Sequence, residues 1–189
     1  MKRLAILHEG NAKPTHDNHL IGLLIQHLNL NINLVDFYGM GSKRNFFNLE
    51  SIGYQLLKQR DTDNQIHKVL FIVDADFPQN DSKYGGLTNT QTELTAIIEQ
   101  LKLQDKSQTF IMCDPDKETG YLESFILSTI SDEERSCIQS FLACSQFKSK
   151  ENHKAILNQI YKTAYPNAPY NFTHPHFDPL KTALTQLFA

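Results

Sequence analysis

Carboxylates fall directly behind three stretches that read as β-strands, and that placement is the strongest chemical signal in the sequence. Glu9 follows residues 3–8, Asp74 and Asp76 follow residues 68–73, and Asp114 and Asp116 follow residues 109–113. In open parallel sheets, ligands bind beyond the carboxyl ends of the strands, near the point where strand order reverses. Neighbouring first and third strands would therefore bring Glu9 to the Asp74/Asp76 pair. Residues two apart on a strand share a side, so Asp74 and Asp76 point the same way if the strand runs through both. Several hard oxygen donors with no thiol among them suit Mg²⁺, or Mn²⁺. An acid at a strand end is also a common turn former. That plainer role weighs most on Asp114-Pro115-Asp116, since Asp-Pro is itself a turn signal. Glu-Gly behind one strand combined with Asp-x-Asp behind another favours a metal site. Gly10 is expected to let the backbone turn tightly beside Glu9.

The elements that must position these acids alternate. After the first strand, residues 17–28 place apolar side chains at 20, 21, 23, 24, 25 and 28, a helical period, with Asp17 or Asn18 as cap. Residues 32–38 read as the second strand, 39–42 as a loop and 46–59 as a helix. Residues 68–73 (KVLFIV) are β-branched, aromatic and continuously apolar, as a strand covered on both faces should be. A polar loop over 77–87, a helix over 90–101 and a fourth strand over 109–113 follow. Strands separated by helices imply crossovers, hence an α/β fold with a mainly parallel, Rossmann-like sheet of about four strands and flanking helices. Beyond Tyr121 the character turns helical, over 121–130, 132–147, 152–165 and, after a Pro- and His-rich stretch, 180–188. We read residues 1–189 as one domain, an α/β core over 1–130 with a helical extension over 131–189 packed on it.

Composition narrows the function. With 18 basic and 21 acidic residues the formal charge is −3, and nothing resembles the basic stripe of a dedicated nucleic-acid binder. Lys43-Arg44 is the nearest approach and is too short. The apolar run at residues 4–7 is too short for a signal peptide or membrane span, so no membrane partner is expected. Cys113, Cys137 and Cys144 are odd in number and show no CxxC spacing. That argues against a disulfide framework and fits the reducing cytoplasm, with all three thiols expected buried or partly buried. No P-loop, nucleophile elbow or GxGxxG follows a strand. His16, in the loop after Glu9, and Asp17 beside it are accessory candidates, His16 as a general base. His174, His176 and Asp178 have metal-like spacing, but their loop setting favours a solvated surface or local packing.

LAILHEG (residues 4–10) and KVLFIVDAD (residues 68–76) resemble the Toprim fold of topoisomerases, primases and OLD-type nucleases, in which a Glu follows the first strand and a DxD the third. GYLESFILSTI (residues 120–130) resembles a G-x-L-E-x-x-L-L stretch of small bacterial Toprim-like proteins. The resemblance covers residues 3–130. It implies Glu9 as a catalytic or metal-organising acid, Asp74 and Asp76 as ligands of Mg²⁺ or Mn²⁺, and Glu123 as an accessory residue near the site. Asp114 and Asp116 join it as accessory candidates. The function implied is metal-dependent phosphoryl transfer on DNA or RNA, that is, a nuclease-type activity. The alternative is a non-catalytic module of the same fold that binds a protein partner, or a second copy of itself, in a defence or toxin-like system. The residues leave both open.

Overall fold

The most strongly marked stretch of the sequence forms the centre of the sheet. The computed structural model describes residues 2–11, 16–144, 156 and 170–189. Strand β1 spans Arg3–His8, β2 Val35–Gly39, β3 Ile66–Asp74 and β4 Ser107–Met112. All pairings are parallel, in the order β2-β1-β3-β4. The helices are α1 (His16–His27), α2 (Lys43–Phe46), α3 (Ile52–Thr62), α4 (Leu87–Leu101), α5 (Leu122–Leu127), α6 (Asp132–Cys144) and α7 (Asp178–Phe188). The expected α/β class, parallel sheet and helical carboxyl-terminal part are all present.

Alternation along the central strands assigns each helix to a face. Leu4, Ile6, Leu70 and Ile72 pack with Leu20 and Leu24 of α1, Phe125 of α5 and Leu184 of α7. Ala5, Leu7, Val69 and Phe71 point the other way, onto Tyr54 and Leu57 of α3 and Leu94 and Ile98 of α4. With both faces covered, β1 buries residues 4–8 and β3 residues 69–73, each large apolar side chain contributing about 1.5–3 kcal/mol. The chain leaves β1 for β2 on one side and reaches β3 on the other. The strand order therefore reverses between the carboxyl ends of β1 and β3.

Several local expectations are corrected. The helix expected over 46–59 forms only from Ile52, as α3, while Phe46 closes the short α2. Between them Asn48 accepts a hydrogen bond from the Glu50 N–H (3.1 Å), a side-chain turn that interrupts the apolar period. Residues 32–34 form a 3₁₀ turn in which Asn31 accepts from the Asn33 N–H, so β2 starts only at Val35. Of the three thiols, Cys113 is buried, but Cys137 and Cys144 are exposed, because α6 turns no residue into the core. The helix expected over 152–165 lies outside the described residues, apart from Ile156, which is helical. Among the described residues no helix is long and apolar enough to cross a membrane.

One turn fixes the end of β3. Gly120 has φ +109°, its N–H donates to the Asp76 carbonyl (2.9 Å), and its carbonyl accepts from the Asp76 N–H (2.6 Å). A Cβ there would lie 2.5 Å from Ser124 Oγ, in a backbone region that side chains avoid. Gly120→Ala is therefore expected to lower stability by about 1–3 kcal/mol in urea unfolding. An unchanged midpoint would show that this turn does not hold its conformation.

Candidate functional site

Glu9 follows β1 directly, and its position at the strand-order reversal places it against β3. Its Oε1 accepts a hydrogen bond from the Asp74 N–H (3.0 Å). The side chain keeps part of its surface exposed while protein packs around the carboxyl group. Burial, followed by the negative charges of Asp74 and then Asp76, pushes its pKa well above the ordinary carboxylate range. The Lys43 ammonium and the Asp74 N–H oppose that shift without cancelling it. The structure thus brings the three acids into one electrostatic neighbourhood. Gly10 is not among the residues with positive φ; in this region that role falls to Gly41, whose N–H donates to the Gly10 carbonyl (3.0 Å).

Strand alternation does not carry through from Asp74 to Asp76. β3 ends at Asp74, and Asp76 lies in the left-handed region (φ +57°), which Asp tolerates better than most residues. Its carboxylate meets Lys43 Nζ at 3.3 Å. Lys43 is buried, and its ammonium also donates to the carbonyls of Asp74 (2.7 Å) and Ala75 (2.8 Å) and to Thr90 Oγ1 (3.2 Å). The Thr90 hydroxyl in turn donates to the Tyr84 carbonyl (2.5 Å). Ser42 caps α2 by accepting from the Asn45 N–H, which sets the short helix that delivers Lys43. Sequence reading missed Lys43 and Thr90. A lone Lys beside Arg44 reads as solvated surface, and only the strand order shows that the β2–α2 connection crosses the end of β3.

A second group lies on the α1 side of the sheet. His8 is almost fully buried, and neither ring nitrogen has a hydrogen-bond partner among the described residues. Its Nδ1 stands 3.8 Å from an Asp17 carboxylate oxygen, and the Phe37 ring packs edge-on against it. Glu123 is buried in the first turn of α5. Burial raises the pKa of the Tyr170 phenol, helped by the charges of Glu123 and then Asp17. Asp17 and Glu123 therefore share an environment with Tyr170. His16 opens α1, and its side chain lies outside what the structure describes.

The remaining candidates have local duties. Asp114 is buried and accepts from the Asp116 N–H (3.1 Å) and from Lys117 Nζ (3.1 Å), the side-chain turn that Asp-Pro suggests. Asp116 faces Arg135 of α6 at 3.8 Å. His174 accepts from the His176 N–H to cap a 3₁₀ turn, His176 Nδ1 pairs with Ser128 Oγ (2.9 Å), and Asp178 pairs with Lys181. That trio serves local packing. Among the described residues no three His, Cys, Asp or Glu side chains are already arranged to hold a metal ion.

Comparison of the chain with protein-family models, with curated proteins and with solved structures gives no match.

The raised Glu9 pKa has a definite sign in stability. Below the pKa of the unfolded chain, about 4.3 for an unperturbed glutamate, Glu9 is protonated in both states and costs nothing. As pH rises through the raised folded value, the folded protein must give up a proton it holds more tightly than the unfolded chain does, and stability falls. Glu9→Gln removes that loss. In denaturant titrations from pH 4 to pH 8, the variant should gain on the wild type as pH rises. The gain is about 1.4 kcal/mol for each pH unit over which the unfolded chain is ionised at Glu9 and the folded one is not. A constant difference across that range would rule out the raised pKa.

Proposed function

We propose that this chain is a Toprim-like, Mg²⁺- or Mn²⁺-dependent phosphoryl-transfer domain that cleaves phosphodiester bonds in nucleic acid. The observation that carries the proposal is the burial of Glu9 and its crowding by Asp74 and Asp76 at the strand-order reversal, which together favour a proton on Glu9. Carboxylates perturbed by burial and like charge cluster at functional sites. The donor set is all oxygen and carries excess negative charge, which fits a hard divalent cation. Asp74 and Asp76 would hold the ion, with Glu9 beside them. Once bound, the ion would neutralise the substrate phosphate and activate water. The chain's own groups supply the rest. Glu9, with a pKa lifted above the ordinary carboxylate range, can receive a proton from the attacking water or give one to the leaving oxygen. The Asp74 N–H fixes which carboxyl oxygen of Glu9 faces inward. Arg44, which follows Lys43 in α2, and Lys83, which precedes Tyr84, are exposed cations that would suit a polyanion.

Metal binding is checked by thermal unfolding. Millimolar Mn²⁺ should raise the melting temperature by mass action, and Asp74→Asn should largely remove that rise. A wild-type melting temperature indifferent to Mn²⁺ would end the metal reading.

Activity is checked with Mn²⁺ on single- and double-stranded DNA and on RNA. Glu9→Gln should cut at least ~10²-fold more slowly than the wild type, the lower end of what a general acid or base supplies. Equal rates would place the chemistry elsewhere. Failure of the wild type to cut any of the three would favour the protein-binding alternative.

A further inference from the structure

The oxygens around Lys43 are arranged as they would be around a metal ion. Two backbone carbonyls, of Asp74 (2.7 Å) and Ala75 (2.8 Å), the Thr90 hydroxyl (3.2 Å) and an Asp76 carboxylate oxygen (3.3 Å) all face its Nζ. These are hard donors of the kind that ligate Mg²⁺, held at hydrogen-bond rather than metal–oxygen distances. The cage is built rather than incidental. The Ala75 carbonyl also accepts from the Gly86 N–H (2.9 Å), and Thr90 is held by the Tyr84 carbonyl. Asp76 is fixed through both of its backbone hydrogen bonds to Gly120. The Lys43 side chain is only 9% exposed, so water contributes little to balancing its charge.

We infer that Lys43 is the resident cation of this site. Its ammonium supplies the positive charge that a second ion would bring, so the site takes one divalent cation, on the Glu9 and Asp74 side. This rests on the metal reading proposed above, fixes the number of ions and removes Asp76 from the ligand set. Two-metal sites place their ions about 3.5–4 Å apart with carboxylates shared between them. Here the carboxylate available for sharing, that of Asp76, is already paired with Lys43. A second dication near it would meet the ammonium's like charge in a recessed place where water screens poorly.

The test is a titration of Mn²⁺ into the full-length chain, followed by the paramagnetic resonance of free Mn²⁺. One ion should bind per wild-type chain. Asp76→Asn should weaken it about tenfold, since the ammonium is then uncompensated, and adding Lys43→Met should bring affinity back to within about threefold of wild type, the non-additivity expected of a paired couple. Two ions per wild-type chain would overturn the inference. So would a double variant no tighter than Asp76→Asn alone, because a true ligand cannot be replaced by deleting a lysine. Should Lys43→Met fail to fold, the wild-type stoichiometry and a comparison of single variants still decide: binding lost in Asp76→Asn as completely as in Asp74→Asn would make Asp76 a ligand. Absence of any bound Mn²⁺ in the wild type would end the metal reading itself, and this inference with it.

Discussion

A buried ammonium ties together the connections that meet at the carboxyl edge of the sheet. Removing a charge from water costs several kcal/mol unless the protein replaces the lost hydration with well-placed partners. Lys43 finds four oxygens, from the end of β3 and from α4. The requirement works in both directions. The Asp74 carbonyl lies at the last ladder pairing of β3, where an acceptor left unpaired away from water would be costly. The same contacts hold Asp74 and Asp76 in place.

The two ends of the sheet treat carboxylates oppositely. At the amino end, Asp36 is gripped by Arg3 (2.6 Å) and Arg60 (2.7 Å), and the hydrogen bond from Arg3 leads the lowering of its pKa. A carboxyl depressed in this way stabilises the fold above its unfolded pKa, and that stability is lost as pH falls through the folded value. At the carboxyl end Glu9 is pushed the other way, by burial and by neighbours of its own sign. The fold thus pairs its carboxylate with cations at the amino end and crowds carboxylates together at the strand-order reversal. Such crowding costs stability.

Much of this was legible in the sequence. The run at residues 69–73 could hardly be anything but a strand covered on both faces, and helical periods between strands fixed a parallel sheet. That sheet brought Glu9 to Asp74. What escaped reading depended on contacts far apart in the chain. Lys43 lies 31 residues before its carbonyl partner at Asp74 and 47 before Thr90, so no local pattern marks it. The break between α2 and α3 was hidden because apolar residues continue across it while Asn48 interrupts the backbone. Helical period alone would put α6 and its two thiols in the core, yet that helix buries none of its residues.

The Asp-Ala-Asp triplet shows why spacing alone does not assign roles. Alternation would make its two acids equivalent, both on one side of a strand. The strand stops at the first of them, and the left-handed turn at the second redirects its carboxylate to Lys43. Asp74 keeps its backbone N–H on Glu9, while Asp76 spends its own N–H and carbonyl on Gly120. The backbones of these two identical residues therefore take different partners, and the left-handed turn at the second separates them. A motif of this kind specifies which atoms are present, and the end of the strand decides how the backbone presents them.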